Sequence, residues 1–165
     1  MKYYSDTFWR DDATCKYSPD EGERIIREYN RQYEEEFDTF RCKLPKDFLN
    51  VLPLLHDAHI SCISIVAEEN SLGINFLIEH NEFSFLMRFQ CVTKLQVNLP
   101  YISSVYWLYD EILEVNENRF RIELIAFSDV RNRLTFEFQT VVVEGEKKSL
   151  PDGYESLDDY YNRKG

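Results

Sequence analysis

The chain has 165 residues and a mass of 19.8 kDa, with 30 acidic residues against 19 Lys and Arg, a formal net charge of −11 and a pI near 4.7. Such a length is a prior for one domain of 1–165, able to bury about 70% of its unfolded surface without disulfide staples. With 44% apolar and 30% charged residues, it reads as globular rather than disordered or membrane-spanning.

The negative charge disfavours nucleic acid and anionic membrane as partners, because affinity for either comes from clustered Lys and Arg. No basic stripe offsets it: residues 1–58 carry −4, residues 59–143 carry −5 and residues 144–165 carry −2. A basic protein partner is compatible, since opposite fields speed encounter and reject wrong partners. Met1–Asp12 lacks the apolar run of a secretory signal, and no stretch reaches the about 18 apolar residues of a membrane span. Cys15, Cys42, Cys62 and Cys91 form no C-x-x-C pair, so reduced thiols and a cytoplasmic location are expected.

Residues 18–40 predict one long amphipathic helix. Ser18-Pro19-Asp20-Glu21 is a capping box with proline at the first helical position. Ile25, Ile26, Tyr29, Tyr33, Phe37 and Phe40 then recur at three- and four-residue steps as one apolar stripe. Residues 45–56 read as a short helix broken by Pro53.

From residue 59 to 143 the period changes to two. Leu72–Ile78, Phe83–Val97, Phe120–Ala126 and Leu134–Val142 alternate apolar and polar, which predicts strands with one wet face. Ile60–Ala67 and Val105–Val115 are apolar on both rows and read as more deeply covered strands. Short polar links imply hairpins and antiparallel pairing; only Asn98–Ser104, with Pro100, is long enough for a different connection. The expected fold is α+β: a six-stranded antiparallel meander, curved and able to close like a barrel, covered by the helix. Residues 145–165 read either as a mobile tail or as an arm that docks its tyrosines.

Two clusters carry chemistry-bearing residues. His56-Asp57-Ala58-His59 has the residue types of a metal site, but two histidines three apart converge only on a helix, and this run sits where helix gives way to strand. A structural reading has Asp57 bonding a turn and the histidines partly packed. Leu108-Tyr109-Asp110-Glu111-Ile112 sets two carboxylates in an apolar run, pointing to opposite faces. Glu111 shares the row of Trp107 and Tyr109 and is expected beside the core unless a bulge re-aims it; a structural network is the simpler account of such a carboxylate. Phosphate-loop, dinucleotide and nucleophile-elbow motifs are absent, and no cofactor is expected.

The opening Met1-Lys2-Tyr3-Tyr4, the element Leu55-His56-Asp57-Ala58-His59-Ile60 and the element Leu108-Tyr109-Asp110-Glu111-Ile112 resemble an uncharacterised bacterial family of unknown function. The resemblance implies a cytoplasmic bacterial protein and supplies no catalytic residue. The residues themselves favour an acidic protein-binding module, immunity- or inhibitor-like, for a basic partner, with Trp107, Tyr109, Asp110 and Glu111 as candidate contact residues. A small-molecule-binding half-barrel is the alternative. A metal-dependent hydrolase using His56, Asp57 and His59 ranks last. The two edge strands of a meander also offer a route to a homodimer.

Overall fold

The computed structural model describes residues 17–67, 69, 71–80, 83–98, 105–127 and 131–147. The opening Met1–Tyr4 and the tail from 148 onward lie outside them. The elements in chain order are α1 (Pro19–Phe40), a 3-10 turn (Arg41–Lys43), α2 (Lys46–Val51), a second 3-10 turn (Leu52–Leu54), and strands β1 (Ala58–Ala67), β2 (Leu72–His80), β3 (Phe83–Asn98), β4 (Val105–Asn116), β5 (Arg119–Phe127), β6 (Arg131–Phe138) and β7 (Thr140–Lys147).

The α1 helix starts where its cap dictates. Ser18 Oγ accepts the Glu21 backbone N–H at 3.3 Å, Pro19 opens the first turn, and Asp20 and Glu21 face the positive end of the dipole. Glu23–Arg27, Glu28–Arg31 and Arg31–Glu35 pair along the wet face at helical spacing. The apolar stripe is half-buried from Ile25 to Phe37 and becomes fully buried at Phe40. The helix is therefore anchored mainly by its C-terminal end. Pro53, which lacks the N–H an α-helix needs, marks the change from α2 to a 3-10 turn.

Six strands close into a ring in the order β2-β1-β4-β5-β6-β3, with β3 returning to β2, and every pairing is antiparallel. The sequence expectation of an antiparallel sheet with one long helix holds. The connection order differs from a meander at one place. β3 and β4 are consecutive but not neighbours: β3 pairs with β2, β6 and β7, and β4 with β1 and β5. The first half of β3 lies between β2 and β7, and its second half pairs with β6. β4 instead inserts between β1 and β5; the 99–104 part of the link singled out in the sequence lies outside the described residues.

β3 serves two sets of partners by bending. Cys91 and Lys94 adopt left-handed backbone, with φ of 54° and 50°, and the register with β6 shifts between Thr93 and Gln96. Such bulges re-aim side chains. The odd-numbered apolar row therefore holds only through Phe89; Val92 then turns inward, and Val97 is 46% exposed. β6 and β7 are a single run interrupted at Gln139, whose N–H donates to Gln90 O at 3.2 Å.

The ring interior is packed with aromatic side chains. Phe76, Phe89, Phe136, Phe138 and Trp107 are buried, with Phe89 at 5.0 Å from Phe136 and 4.9 Å from Phe138 in edge-to-face contact. Phe48 of α2 enters this cluster, 5.7 Å from Phe89 and 6.4 Å from Phe138. Phe40 of α1 joins it through Phe120 at 5.9 Å. The two helices thus contribute core residues instead of only shielding a sheet face.

Candidate functional site

The β4 strand carries the local irregularity that builds the site. Trp107 pairs with Ala126 and Tyr109 with Ile125, so β4 has one residue more than β5 at Leu108. Before this bulge, the odd residues Val105 and Trp107 face the core. After it, Asp110 pairs with Leu124 and Ile112 with Ile122, so the even residues face inward. Tyr109 and Glu111 are turned to the outer face, Glu111 opposite Glu123. The bulge re-aims Glu111 away from the row of Trp107, yet Glu111 remains fully buried.

Asp110 is the carboxylate that turns to the core side. Its Oδ1 accepts the Trp107 indole N–H at 2.8 Å. Burial pushes the Asp110 carboxyl up to about 6; the Trp107 N–H opposes that shift, the neighbouring Glu111 adds to it, and His56 opposes it.

The β1–β4 seam brings the two sequence clusters together. β1 and β4 pair over only three positions, Ala58–Trp107, His59–Tyr106 and Ile60–Val105. Just before β1, Asp57 adopts φ of 63°, and its N–H donates to Trp107 O at 2.7 Å. His56 lies edge-on to Tyr109 with ring centroids 5.2 Å apart, and its Nδ1 is 3.1 Å from Asp57 Oδ2. His56, Asp57, Trp107, Tyr109 and Asp110 therefore meet at one end of the seam.

His59 does not join them. It packs beside Tyr106, centroids 5.4 Å apart, with Nδ1 3.6 Å from Glu79 on β2. Tyr106, which the sequence did not single out, takes this place because it is the β4 residue paired with His59. Among the described residues, no three His, Cys, Asp or Glu side chains are arranged to hold a metal ion.

A second charged group escaped the sequence reading. Glu137 lies on the outer row of β6, yet its side chain is only 3% exposed, and it accepts from Lys94 Nζ and Arg121 Nη2, each at 3.1 Å. Beside it, Arg119 donates to Thr93 Oγ1 at 2.8 Å and to Cys91 O at 3.3 Å. Alternation alone assigns Glu137 to water. Its sequence signal is visible only after β5 and β6 are aligned, when Arg121 falls opposite it.

The arrangement at the seam can hold and release a proton on Asp110 and present an exposed imidazole and a phenol beside it. Comparison of the chain with protein-family models, with curated proteins and with solved structures gives no match in any of the three. That outcome agrees with the resemblance to an uncharacterised family and transfers no residue role.

Proposed function

We propose that this chain is an acidic protein-binding module for a basic partner, of the immunity or inhibitor kind, working in a bacterial cytoplasm. The observation that carries the reading is the charge on α1. Between Ser18 and Phe40 there are eight carboxylates against three arginines, −5 of the chain's −11, and most of these side chains are exposed. Glu34, Glu35, Glu36 and Asp38 crowd the C-terminal part of the helix, and its last turn holds no basic residue. Negative charge at that end opposes the helix dipole, typically by about 0.3–1 kcal/mol per charge near the terminus. Glu35 pairs with Arg31 and Asp38 lies 3.7 Å from Arg41, but the helix keeps its net negative charge at this end, which suits a surface used by a partner.

The occupied ring interior supports the same reading over the half-barrel alternative, because Phe48 and the rings around it take the space a lumen ligand needs. For the hydrolase reading, His59 stands with Glu79 rather than with His56 and Asp57. Among the described residues, no helix is long and apolar enough to cross a membrane.

The test is affinity capture from native lysate at low and high salt, with the wild-type chain beside a Glu34→Gln/Glu35→Gln/Asp38→Asn variant. A basic protein retained at low salt, released at high salt and lost by the variant supports the proposal. The variant gives up the Arg31–Glu35 and Arg41–Asp38 pairs, so an unchanged circular dichroism spectrum at the capture temperature is the control that separates lost capture from unfolding. Equal capture by both proteins rejects α1 as the binding face.

A further inference from the structure

Three basic side chains meet on the outer face of the barrel at a place the sequence did not mark: Lys94 from β3, and Arg119 and Arg121 from β5. Glu137 of β6 is 3% exposed and holds two of them, since Lys94 Nζ and Arg121 Nη2 each donate to its Oε1 at 3.1 Å. Arg119 is held differently. Its Nη1 donates to Thr93 Oγ1 at 2.8 Å and to Cys91 O at 3.3 Å, both neutral acceptors, and among the described residues it meets no carboxylate.

The bulge in β3 builds this arrangement. Pairing with β7 ends at Gln90–Thr140 and pairing with β6 begins at Thr93–Glu137. Cys91 lies between the two ladders, and its carbonyl accepts from Arg119. Adjacent strand residues ordinarily point to opposite faces. The left-handed φ of 50° at Lys94 lifts that rule, so Thr93 and Lys94 both reach the outer face. Cys91 is left-handed too, at 54°. Non-glycine residues in that region are uncommon, and such costly backbone clusters at ligand-binding sites.

The charges do not balance. Arg121 is also 4.0 Å from Glu123, which leaves two carboxylates to three cations. The carboxylates at the β4–β5 turn serve Lys43: Glu114 is 2.5 Å from it, and Glu117 adds to the field there. This chain has 30 acidic residues against 19 Lys and Arg, yet the Arg119 guanidinium is oriented by neutral oxygens and given no counter-charge. That is the condition of a receptor for an anion from outside, because a guanidinium fork matches a bidentate oxyanion. Lys94, with its side chain 67% exposed, keeps further N–H donors toward solvent.

We propose that Lys94, Arg119 and Arg121 form a site for a phosphate-type oxyanion, free or as the monoester of a small molecule, with the buried Glu137 as the fixed base that holds Lys94 and Arg121 in place. The fork and the ammonium come from different strands, and a tetrahedral group has enough oxygens to accept from both at once. A carboxylate has two, which the fork alone occupies. The net charge of −11 keeps the ligand small, since a polyanion such as nucleic acid would meet the repelling field beyond the site. This site is separate from the acidic face of α1 and does not rest on the function proposed for it.

The test titrates the purified, isotope-labelled full-length chain with inorganic phosphate, and separately with phenyl phosphate, at constant ionic strength, and follows amide chemical shifts. Saturating shifts centred on residues 91–94 and 119–121, with a dissociation constant of about 1 mM, are expected for at least one of the two. Tighter binding of the ester assigns a phosphorylated small molecule, and tighter binding of the free ion assigns phosphate itself. Arg119→Gln should weaken binding at least about tenfold, through loss of charge-assisted hydrogen bonds. Lys43→Gln removes the same charge elsewhere and should change the affinity by less than about twofold, because screening confines such effects. No saturable shift at these residues in the wild-type chain, an equal response to acetate, or equal losses in the two variants overturns the proposal. The first of these outcomes needs no variant, so misfolding of Arg119→Gln cannot mask it.

Discussion

The Trp107 indole N–H donates to Asp110 across a single strand bulge, 2.8 Å from Nε1 to Oδ1, and both side chains lie on the core side of β4. A regular strand puts residues three apart on opposite faces. The extra residue at Leu108 removes that parity and makes the contact available.

Asp110 should make the protein lose stability as the solution moves toward neutrality. Its carboxyl is raised from the ordinary 3.8 to about 6 in the folded chain, chiefly by burial. The folded state thus holds this proton more tightly than the unfolded chain. The stabilisation is complete below about pH 4 and lost as pH rises through about 6, on the order of 2–3 kcal/mol in total. Asp110→Asn keeps an acceptor for Trp107 and cannot titrate. Urea unfolding between pH 4.5 and 7.5 should show a shallower pH slope for the variant, and higher stability than wild type at the neutral end. An unchanged slope would show that Asp110 is not the titrating group.

Glu137 should behave in the opposite sense. Burial pushes its carboxyl up, but the hydrogen bonds from Lys94 and Arg121 outweigh that and hold it below the usual 4.5. Its contribution is present above that value and lost as pH falls through the lowered one. Arg121→Met should cost about 3 kcal/mol, since it strands a buried carboxylate with one partner. Lys94→Met should cost less, because the Lys94 side chain is 67% exposed. Chemical denaturation of the two variants at neutral pH gives the comparison, and equal losses would contradict the ranking.

Tyr33→Phe should release the β4 edge locally. The hydroxyl accepts the Ile112 N–H where β4 has run past the first residue of β1, Ala58. Removing it leaves that donor without its acceptor, at a cost of about 1 kcal/mol. Amide hydrogen exchange should accelerate at Ile112 while core amides of β5 stay protected.

Phe48→Ala should be among the most damaging single changes. The ring is fully buried between Phe89 and Phe138, and truncation of a buried phenylalanine typically costs about 3–5 kcal/mol. Thermal unfolding should shift downward strongly, and a small apolar probe such as benzene should recover part of the loss by filling the hole.

Gly145→Ala should also destabilise, for a different reason. A methyl group at Gly145 would stand 2.7 Å from Phe85 Cβ on the paired strand β3. Overpacking of this kind usually costs about 1–3 kcal/mol. Phe85→Leu cannot relieve it, because the clash is with the Cβ both residues share. A double variant as unstable as Gly145→Ala alone, or more so, is the expected calorimetric result.

Local chemistry made much of this architecture readable. Ser18, Pro19 and the three- and four-residue stripe mark α1 because capping and helical period are short-range properties. Phe85, Phe89 and Phe136 were placed inside by two-residue alternation, and all are buried. The candidate residues were legible one by one. Their grouping was not, since His56 and Tyr109 are 53 positions apart and meet only through the seam.

What the chain determined by itself is therefore the set of elements, their wet and dry faces and the acidic character of α1, all fixed by neighbours within a few residues. Only the tertiary structure decided that β4 leaves β3 for β1, that Asp110 and not Glu111 turns to the core, and that an outward Glu137 is buried. Each of these depends on a one-residue register shift or on which strands lie side by side. A shift of that size inverts every face beyond it while leaving the local pattern of hydrophobic residues unchanged.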